Sequence, residues 1–258
     1  MPEDVELSFG DEVIPVTPAA AGPQSHSEGL NTRTKGAASH AEGTNTYSYG
    51  NYSHAEGNNN TAYGPASHVE GFKNLAQGDQ SHAEGYNNTA SGKRSHVEGN
   101  GTTASNESAH AEGLSTTSNG IASHAEGNST TAAANYSHAE GNGTTASGNQ
   151  SHAEGSGTTA LGSSSHAEGL LTVASNDQTH AEGYNTKASG NKSHAEGHST
   201  VASGSYSHAA GYYTIASATS QTAIGNANAQ NDNALLIVGN GSIKSPADYN
   251  KLSDTEKA

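Results

Sequence analysis

The pattern of polar and apolar positions repeats every 14 residues along most of the chain. Counting from each repeat histidine as position 0, alanine occupies +1 in most units, glutamate occupies +2 in 13 of the 14 units, and glycine occupies +3 in all of them. Threonine or asparagine occupies +6, and alanine, serine or threonine occupies +8. A fixed period this short predicts a solenoid, because one unit is too small to bury anything except against its neighbours.

Each unit is predicted to contain two short strands and two turns. Glycine at +3 and glycine or asparagine at +10 are expected in the turns, because these residues most readily adopt positive φ. The strands then span positions −1 to +2 and +6 to +9. Side chains alternate along a strand, so the small residues at −1, +1, +6 and +8 face each other in a thin interior. The histidine, the glutamate and the residue at +7 face outward.

The outward histidine and glutamate barely vary between units, whereas position +7 varies from Arg33 to Leu75 and Ile215. A surface that is the same in every coil is expected to contact another surface that repeats in the same way. The simplest such surface is that of other copies of the chain, arranged around a rotational axis. Three thin coils close most naturally about one axis, so we predict a homotrimer. The candidate trimer-axis residues are His26, Glu28, His40, Glu42, His54, Glu56, His68, Glu70, His82, Glu84, His96, Glu98, His110, Glu112, His124, Glu126, His138, Glu140, His152, Glu154, His166, Glu168, His180, Glu182, His194, Glu196 and His208.

The unit that contains Thr222-Ala223-Ile224-Gly225 resembles the head repeats of trimeric autotransporter adhesins, in which a Ser-Val-Ala-Ile-Gly core recurs about every 14 residues. The resemblance covers roughly residues 25 to 239 and implies a left-handed parallel β-roll in a trimer. In the adhesin unit, valine and isoleucine take the places of histidine and glutamate, which implies that these positions line the trimer centre. The histidine–glutamate unit is also similar to repeats in tail-fibre and tail-spike proteins of phages and prophages of Gram-positive bacteria.

These observations predict an all-β fold, a left-handed parallel β-roll solenoid of 14-residue coils that is homotrimeric and has a short C-terminal cap or helix. We expect residues 1–24 to form an extended attachment segment, because they contain four prolines and the apolar stretch Val13-Ile14-Pro15-Val16. Residues 25–225 are predicted to form the β-roll. In residues 226–258 we expect a buried closing strand at Ala234-Leu235-Leu236-Ile237-Val238 and a short helix from Ser245-Pro246-Ala247-Asp248.

Composition and charge narrow the possible partners. The 258 residues include 32 glycines, two phenylalanines and no tryptophan or cysteine, so neither a thick core nor a disulfide framework is expected. The formal net charge of −15 gives nucleic acid no electrostatic attraction. No apolar stretch approaches the roughly 20 residues of a membrane helix. The N-terminal sequence MPEDVELSFGDE is acidic where a secretory signal is basic and then apolar, so we expect no signal peptide and no membrane partner.

Histidine and glutamate in equal numbers favour structural pairing. A nearby carboxylate favours imidazolium, so we expect raised histidine pKa values. The alternative is that imidazole and carboxylate bind zinc or nickel. Catalysis is disfavoured because no coil has a set of polar residues that the other coils lack. We therefore expect no catalytic residue, no cofactor and no metal. His198, out of register with the other histidines, is expected to be a solvated turn residue.

The predicted function is structural: a trimeric β-roll shaft of a phage or prophage tail fibre or spike, acting in host-surface attachment. Its expected place is the virion or an extracellular surface, with other tail or surface structural proteins bound at the N-terminus and a host-surface receptor as a further possible partner. The alternatives are a bacterial cell-surface adhesin head, an ice-binding solenoid with a threonine row, and contact of outward tyrosines such as Tyr63 and Tyr184 with glycans.

Overall fold

A computed structural model describes residues 19–241 and two short N-terminal strands, Leu7–Phe9 and Glu12–Ile14. Residues 19–241 form an all-β parallel solenoid with 14-residue coils, as predicted, and the described residues form no helix. The chain divides into two compact units, residues 1–122 and residues 123–258. In each unit the strands that begin at a repeat histidine form one parallel sheet, the histidine sheet. Strands at positions +7 and +8 form the second sheet.

The first unit pairs consecutive coils in register, so that His40, for example, lies beside His54. The strands of its histidine sheet are His26–Leu30, His40–Thr44, His54–Ala55, His68–Val69, His82–Ala83, His96–Asn100 and His110–Leu114. The strands of its second sheet are Ala19–Ala20, Arg33–Thr34, Tyr47–Ser48, Thr61–Ala62, Leu75–Ala76, Thr89–Ala90, Thr103–Ala104 and Thr117–Ser118.

The second unit repeats this arrangement, and His138 lies beside His152. The strands of its histidine sheet are His124–Asn128, His138–Asn142, His152–Ser156, His166–Leu170, His180–Tyr184, His194–His198, His208–Tyr212, Thr222–Asn226 and Leu236–Asn240. The strands of its second sheet are Thr131–Ala132, Thr145–Ala146, Thr159–Ala160, Val173–Ala174, Lys187–Ala188, Val201–Ala202 and Ile215–Ala216.

The interior of each unit is the thin layer of small side chains that the sequence predicts. In the second unit, Ala153 at +1, Thr158 at +6 and Ala160 at +8 are all 0% exposed, and Ser151 at −1 is 1% exposed. The alanines from both sheets stack into one buried cluster that runs along the unit. Because each coil rests on the next, the small side chains are buried with few larger apolar residues, such as Val69 and Val97 of the first unit.

The positive φ predicted for glycine is confirmed at +3 and is wrong at +10. The predicted turn is found at +10, where the N–H of Ser151 donates to the carbonyl oxygen of Gly148, whereas +3 lies within a strand in most coils. Gly141, at +3, has a φ of +110°. Gly148, at +10, is not in the left-handed region, but a Cβ on it would lie 1.8 Å from the carbonyl oxygen of Gly162. Glycine is used at +10 because the coils approach closely there, not because of its φ. The left-handed residues are at +5 and +12, for example Asn185 (φ 54°) and Lys192 (φ 57°).

Strand lengths also differ from the prediction. Most strands of the histidine sheet run from position 0 to +4, whereas those that begin at His54, His68 and His82 contain two residues. These three coils are the ones with asparagine at +6. The amide of Asn74 donates a 2.7 Å hydrogen bond to the carbonyl oxygen of Gly85 in the next coil, which also accepts a 2.9 Å hydrogen bond from the backbone N–H of Phe72.

The predicted closing strand exists, as Leu236–Asn240 paired in parallel with Thr222–Asn226, but the expectation that it is buried is wrong. Leu236 is 61% exposed and Val238 is 65% exposed. Alternation explains this result, because only Ile237 points inward against the alanine cluster. At the other end, strand pairing begins with Ala19–Ala20, and Leu7–Phe9 pairs with Glu12–Ile14 in antiparallel fashion. The predicted helix from Ser245 lies outside the described residues.

Candidate functional site: the histidine–glutamate face

The predicted trimer-axis residues of each unit lie together on the outer surface of its histidine sheet. We call this surface, formed by the side chains at positions 0 and +2, the His–Glu face. Ala139 is fully buried, whereas the side chains of its neighbours His138 and Glu140 are 35% and 42% exposed. The face is therefore directed away from the chain's own interior and half covered by neighbouring coils.

Strand spacing places the imidazole rings in a stack. Strands of a sheet lie about 4.8 Å apart, and an in-register repeat puts identical side chains directly above one another. The ring centroids of His138 and His152 are 4.8 Å apart with an interplanar angle of 3°, and those of His152 and His166 have the same geometry. Each imidazole thus has two other imidazoles as its nearest ring neighbours.

In most coils the glutamate lies beside the histidine of its own coil. The distance from histidine Nε2 to glutamate Oε2 is 3.5 Å for His152–Glu154 and 3.9 Å for His166–Glu168. These separations fall within ion-pair range but are longer than a normal N–H···O hydrogen bond. The last repeat differs because Ala210 replaces glutamate, and His208 instead lies 3.3 Å from Glu196 of the preceding coil.

The expectation of raised histidine pKa values is wrong for three residues. Burial lowers the pKa of His54, His82 and His194, and the two stacked histidine neighbours of each lower it further. Glutamates act in the opposite direction but with a smaller effect. The carboxylate of the same coil, which favours a raised histidine pKa, is evident from the sequence. The like charges that lower the pKa come from the histidines that an in-register stack places about 4.8 Å away.

In the first unit, the glutamates of the His–Glu face also contact one another. Glu56, Glu70, Glu84 and Glu98 line a shallow groove together with glycines at +3. Hydrogen bonds with Glu70 and Glu98 raise the pKa of Glu84 to about 7, while the pKa values of those two neighbours are lowered. The arrangement holds a proton on Glu84 between two carboxylates.

Glu84→Gln should therefore stabilise the chain increasingly as the pH rises. A folded-state pKa of about 7, against an ordinary value of 4.5, contributes stability that is complete below 4.5 and is lost as the pH rises towards 7. Glutamine keeps a hydrogen-bond donor at every pH. Because the Glu84 side chain is 31% exposed, we expect a gain of no more than about 1 kcal/mol at pH 8 that vanishes near pH 5. Urea unfolding at several pH values measures it.

Glu107→Gln is the control for Glu84→Gln, because Glu107 lies outside the face and pairs with Arg94 at the surface. It should give no gain at pH 8. A Glu84→Gln effect that is destabilising at pH 8, or that has the same size at pH 5, would contradict the shared proton.

A second row of ring contacts was not predicted. His198 is not a solvated turn residue: it ends strand His194–His198 and stacks between Tyr184 and Tyr212, with centroid distances of 4.7 and 4.8 Å. The sequence signal was the 14-residue spacing of these three rings at position +4. In the first unit, Phe72 and Tyr86 stack at the same position, with a centroid distance of 5.4 Å.

The fold and this face define a parallel β-solenoid repeat protein, a class whose members are typically structural. In comparisons with known proteins, no family model matches the chain and no curated protein matches it. Among the described residues there is no helix of the length and apolarity needed to cross a membrane.

Proposed function

We propose that the chain forms a homotrimer in which the His–Glu faces of three copies meet around the axis, and that this trimer is the structural shaft of a phage or prophage tail fibre or spike. The observation that carries the proposal is the continuation of the face into apolar residues. In the register of the sheet, Leu236 follows the histidine positions, while Ile224 and Val238 follow the glutamate positions.

Those apolar side chains are exposed in the single chain. Ile224, Leu236 and Val238 are 37%, 61% and 65% exposed. Three neighbouring apolar side chains on one face of a sheet are typical of a surface that is covered by another molecule. A rotational axis brings the same residues of each copy together, and so gives both an apolar layer at one end and repeated His–Glu layers along the rest.

The remaining outer surfaces support the same orientation. Position +7 of the second sheet carries Val173, Lys187 and Val201 in three consecutive coils. A mixture of this kind suits contact with water better than contact with an identical surface. The uniform composition of the His–Glu face from coil to coil is what a symmetric interface requires at every layer.

The assembly is tested by mass and by disulfide trapping. The chain has no cysteine, so a single introduced cysteine reports one position. Light scattering should give about 78 kDa, three times the chain mass of 25.9 kDa. Ala210→Cys places a small thiol at a glutamate position and should form disulfides between copies on mild oxidation.

Ile215→Cys is the matched control in the same coil, on the second sheet, and should remain uncrosslinked. A mass of one chain, or equal crosslinking of the two variants, would overturn the trimer.

The biological setting is tested separately with antibodies against the purified trimer. Labelling of virions in electron micrographs supports the tail-fibre shaft, and the N-terminal end is then expected to lie towards the particle. Labelling of bacterial cells instead would favour the adhesin head, the alternative that the adhesin-like unit Thr222–Gly225 suggests.

A further inference from the structure

We propose that the His–Glu face of the second unit binds divalent transition-metal ions of the zinc class, each held by a histidine and a glutamate of one coil and the histidine of the next coil. The proposal depends on contacts within one chain and not on the trimer. Four such groups overlap in consecutive coils, and in each of them one ligand atom per residue lies within 4.8 Å of the others. The groups are His124–Glu126–His138, His138–Glu140–His152, His152–Glu154–His166 and His166–Glu168–His180.

The imidazole nitrogens that face these groups make no hydrogen bond with any of the described residues. Nε2 of His138, His152 and His166 is shielded from solvent, and its nearest charged partner is the glutamate of its own coil, at 3.5–3.9 Å. A polar atom shielded in this way carries a desolvation cost that no hydrogen bond offsets. A metal ion would satisfy the nitrogen lone pair.

The distances favour an ion over direct pairing. Zinc binds imidazole nitrogen and carboxylate oxygen at about 2.0–2.2 Å, so two such ligands at a tetrahedral centre lie about 3.4 Å apart. The Nε2–Oε2 distance is 3.5 Å in His152–Glu154 and 3.7 Å in His138–Glu140. These pairs are too far apart for a good hydrogen bond and close to the separation that a bridging ion requires.

The stack also limits the number of ions. Each Nε2 has one lone pair and belongs to two neighbouring groups, so adjacent groups cannot both be filled with two histidines. Five histidines, His124 to His180, therefore provide two complete sites at most. The rings of His138 and His152 are nearly parallel and 4.8 Å apart, so bringing their two Nε2 atoms to one ion requires both rings to rotate out of the stack when the metal binds.

The experiment titrates metal-free chain with Zn²⁺ by calorimetry and with Co²⁺ by absorbance, and measures the mass of the same samples by light scattering. The test variant replaces the carboxylates of the overlapping groups: Glu126→Gln, Glu140→Gln, Glu154→Gln and Glu168→Gln. The comparison variant removes carboxylates that lie elsewhere: Glu107→Gln, Asp177→Asn and Asp232→Asn.

We expect the test variant to lose two tight zinc ions per chain and the comparison variant to lose none. Zinc-edge X-ray absorption of the parent chain should show two imidazoles and one carboxylate per ion. Equal zinc binding by the parent chain and the test variant, or a single imidazole per ion, would overturn the proposal by indicating adventitious binding. Because the mass is recorded in parallel, metal binding by a monomer would contradict the trimer alone, and a trimer without tight sites would contradict the metal proposal alone.

Discussion

Gly141→Ala should destabilise the second unit by about 3–5 kcal/mol, whereas Gly143→Ala, two residues away, should cost about 1 kcal/mol or less. Gly141 combines two demands. Its φ of +110° is nearly restricted to glycine, and a Cβ there would lie 2.1 Å from the carbonyl oxygen of Gly155 in the next coil. Backbone of the adjacent strand cannot move away without breaking the ladder on which every following coil rests.

Gly143 is the matched control because it also has positive φ but has open space around it. Its φ is +66°, and no atom of another residue lies within 4 Å of the place that a Cβ would take. Residues with side chains occupy the same place in other coils, including Asn185 and Ser199, with φ of 54° and 55°. Urea unfolding followed by circular dichroism measures both variants. Similar losses of unfolding free energy would show that positive φ, and not the approach of the coils, requires glycine at +3.

Glycine therefore has two roles in this fold: it adopts positive φ, and it leaves space where consecutive coils approach closely. The sequence alone does not show which role applies at each position. The period predicted the coil, the parallel register and the alanine–threonine interior, because a unit of 14 residues has few ways to bury its small side chains. It also assigned positive φ to +10, where Gly148 is needed for space. Of the two positions where residues adopt left-handed φ, +5 is often asparagine or glycine, whereas +12, the position of Lys192, carries no composition signal. The distance between consecutive coils in the structure shows whether a glycine is required for its φ or for the space that it leaves.

The outward face was predicted from alternation, but its electrostatics were not. Alternation within a strand is a local property, so His152 and Glu154 could be placed on one surface from the sequence alone. Burial is the largest cause that lowers the pKa of His194, and the rings above and below it, His180 and His208, lower it further. These neighbours are 14 residues away in the chain, and their effect exceeds that of the glutamate in the same coil. The exposure of Val238 has a similar origin, because its neighbours are set by register and not by the apolar run in which it occurs.

Asparagine at +6 in the first unit makes side-chain hydrogen bonds to the next coil that no threonine at +6 makes among the described residues. The side chain of Asn74 donates to the carbonyl oxygen of Glu70 at 2.6 Å and accepts from the backbone N–H of Asn88 at 2.8 Å. Each asparagine amide thus joins its own turn to the next coil. By contrast, Thr144 at the same position in the second unit is fully buried, and its hydroxyl makes no hydrogen bond among the described residues.

Asn74→Ala should accordingly cost about 2–4 kcal/mol, because it leaves a buried carbonyl and a buried N–H without their partners. Thr144→Val, which keeps the side-chain shape and removes an unpaired hydroxyl, should change the unfolding free energy by less than about 0.5 kcal/mol or increase it. Urea unfolding gives both values, and hydrogen exchange at Asn88 should accelerate in Asn74→Ala. An unchanged exchange rate at Asn88, or a larger loss in Thr144→Val than in Asn74→Ala, would show that side-chain volume at +6, and not the asparagine hydrogen bonds, stabilises these coils.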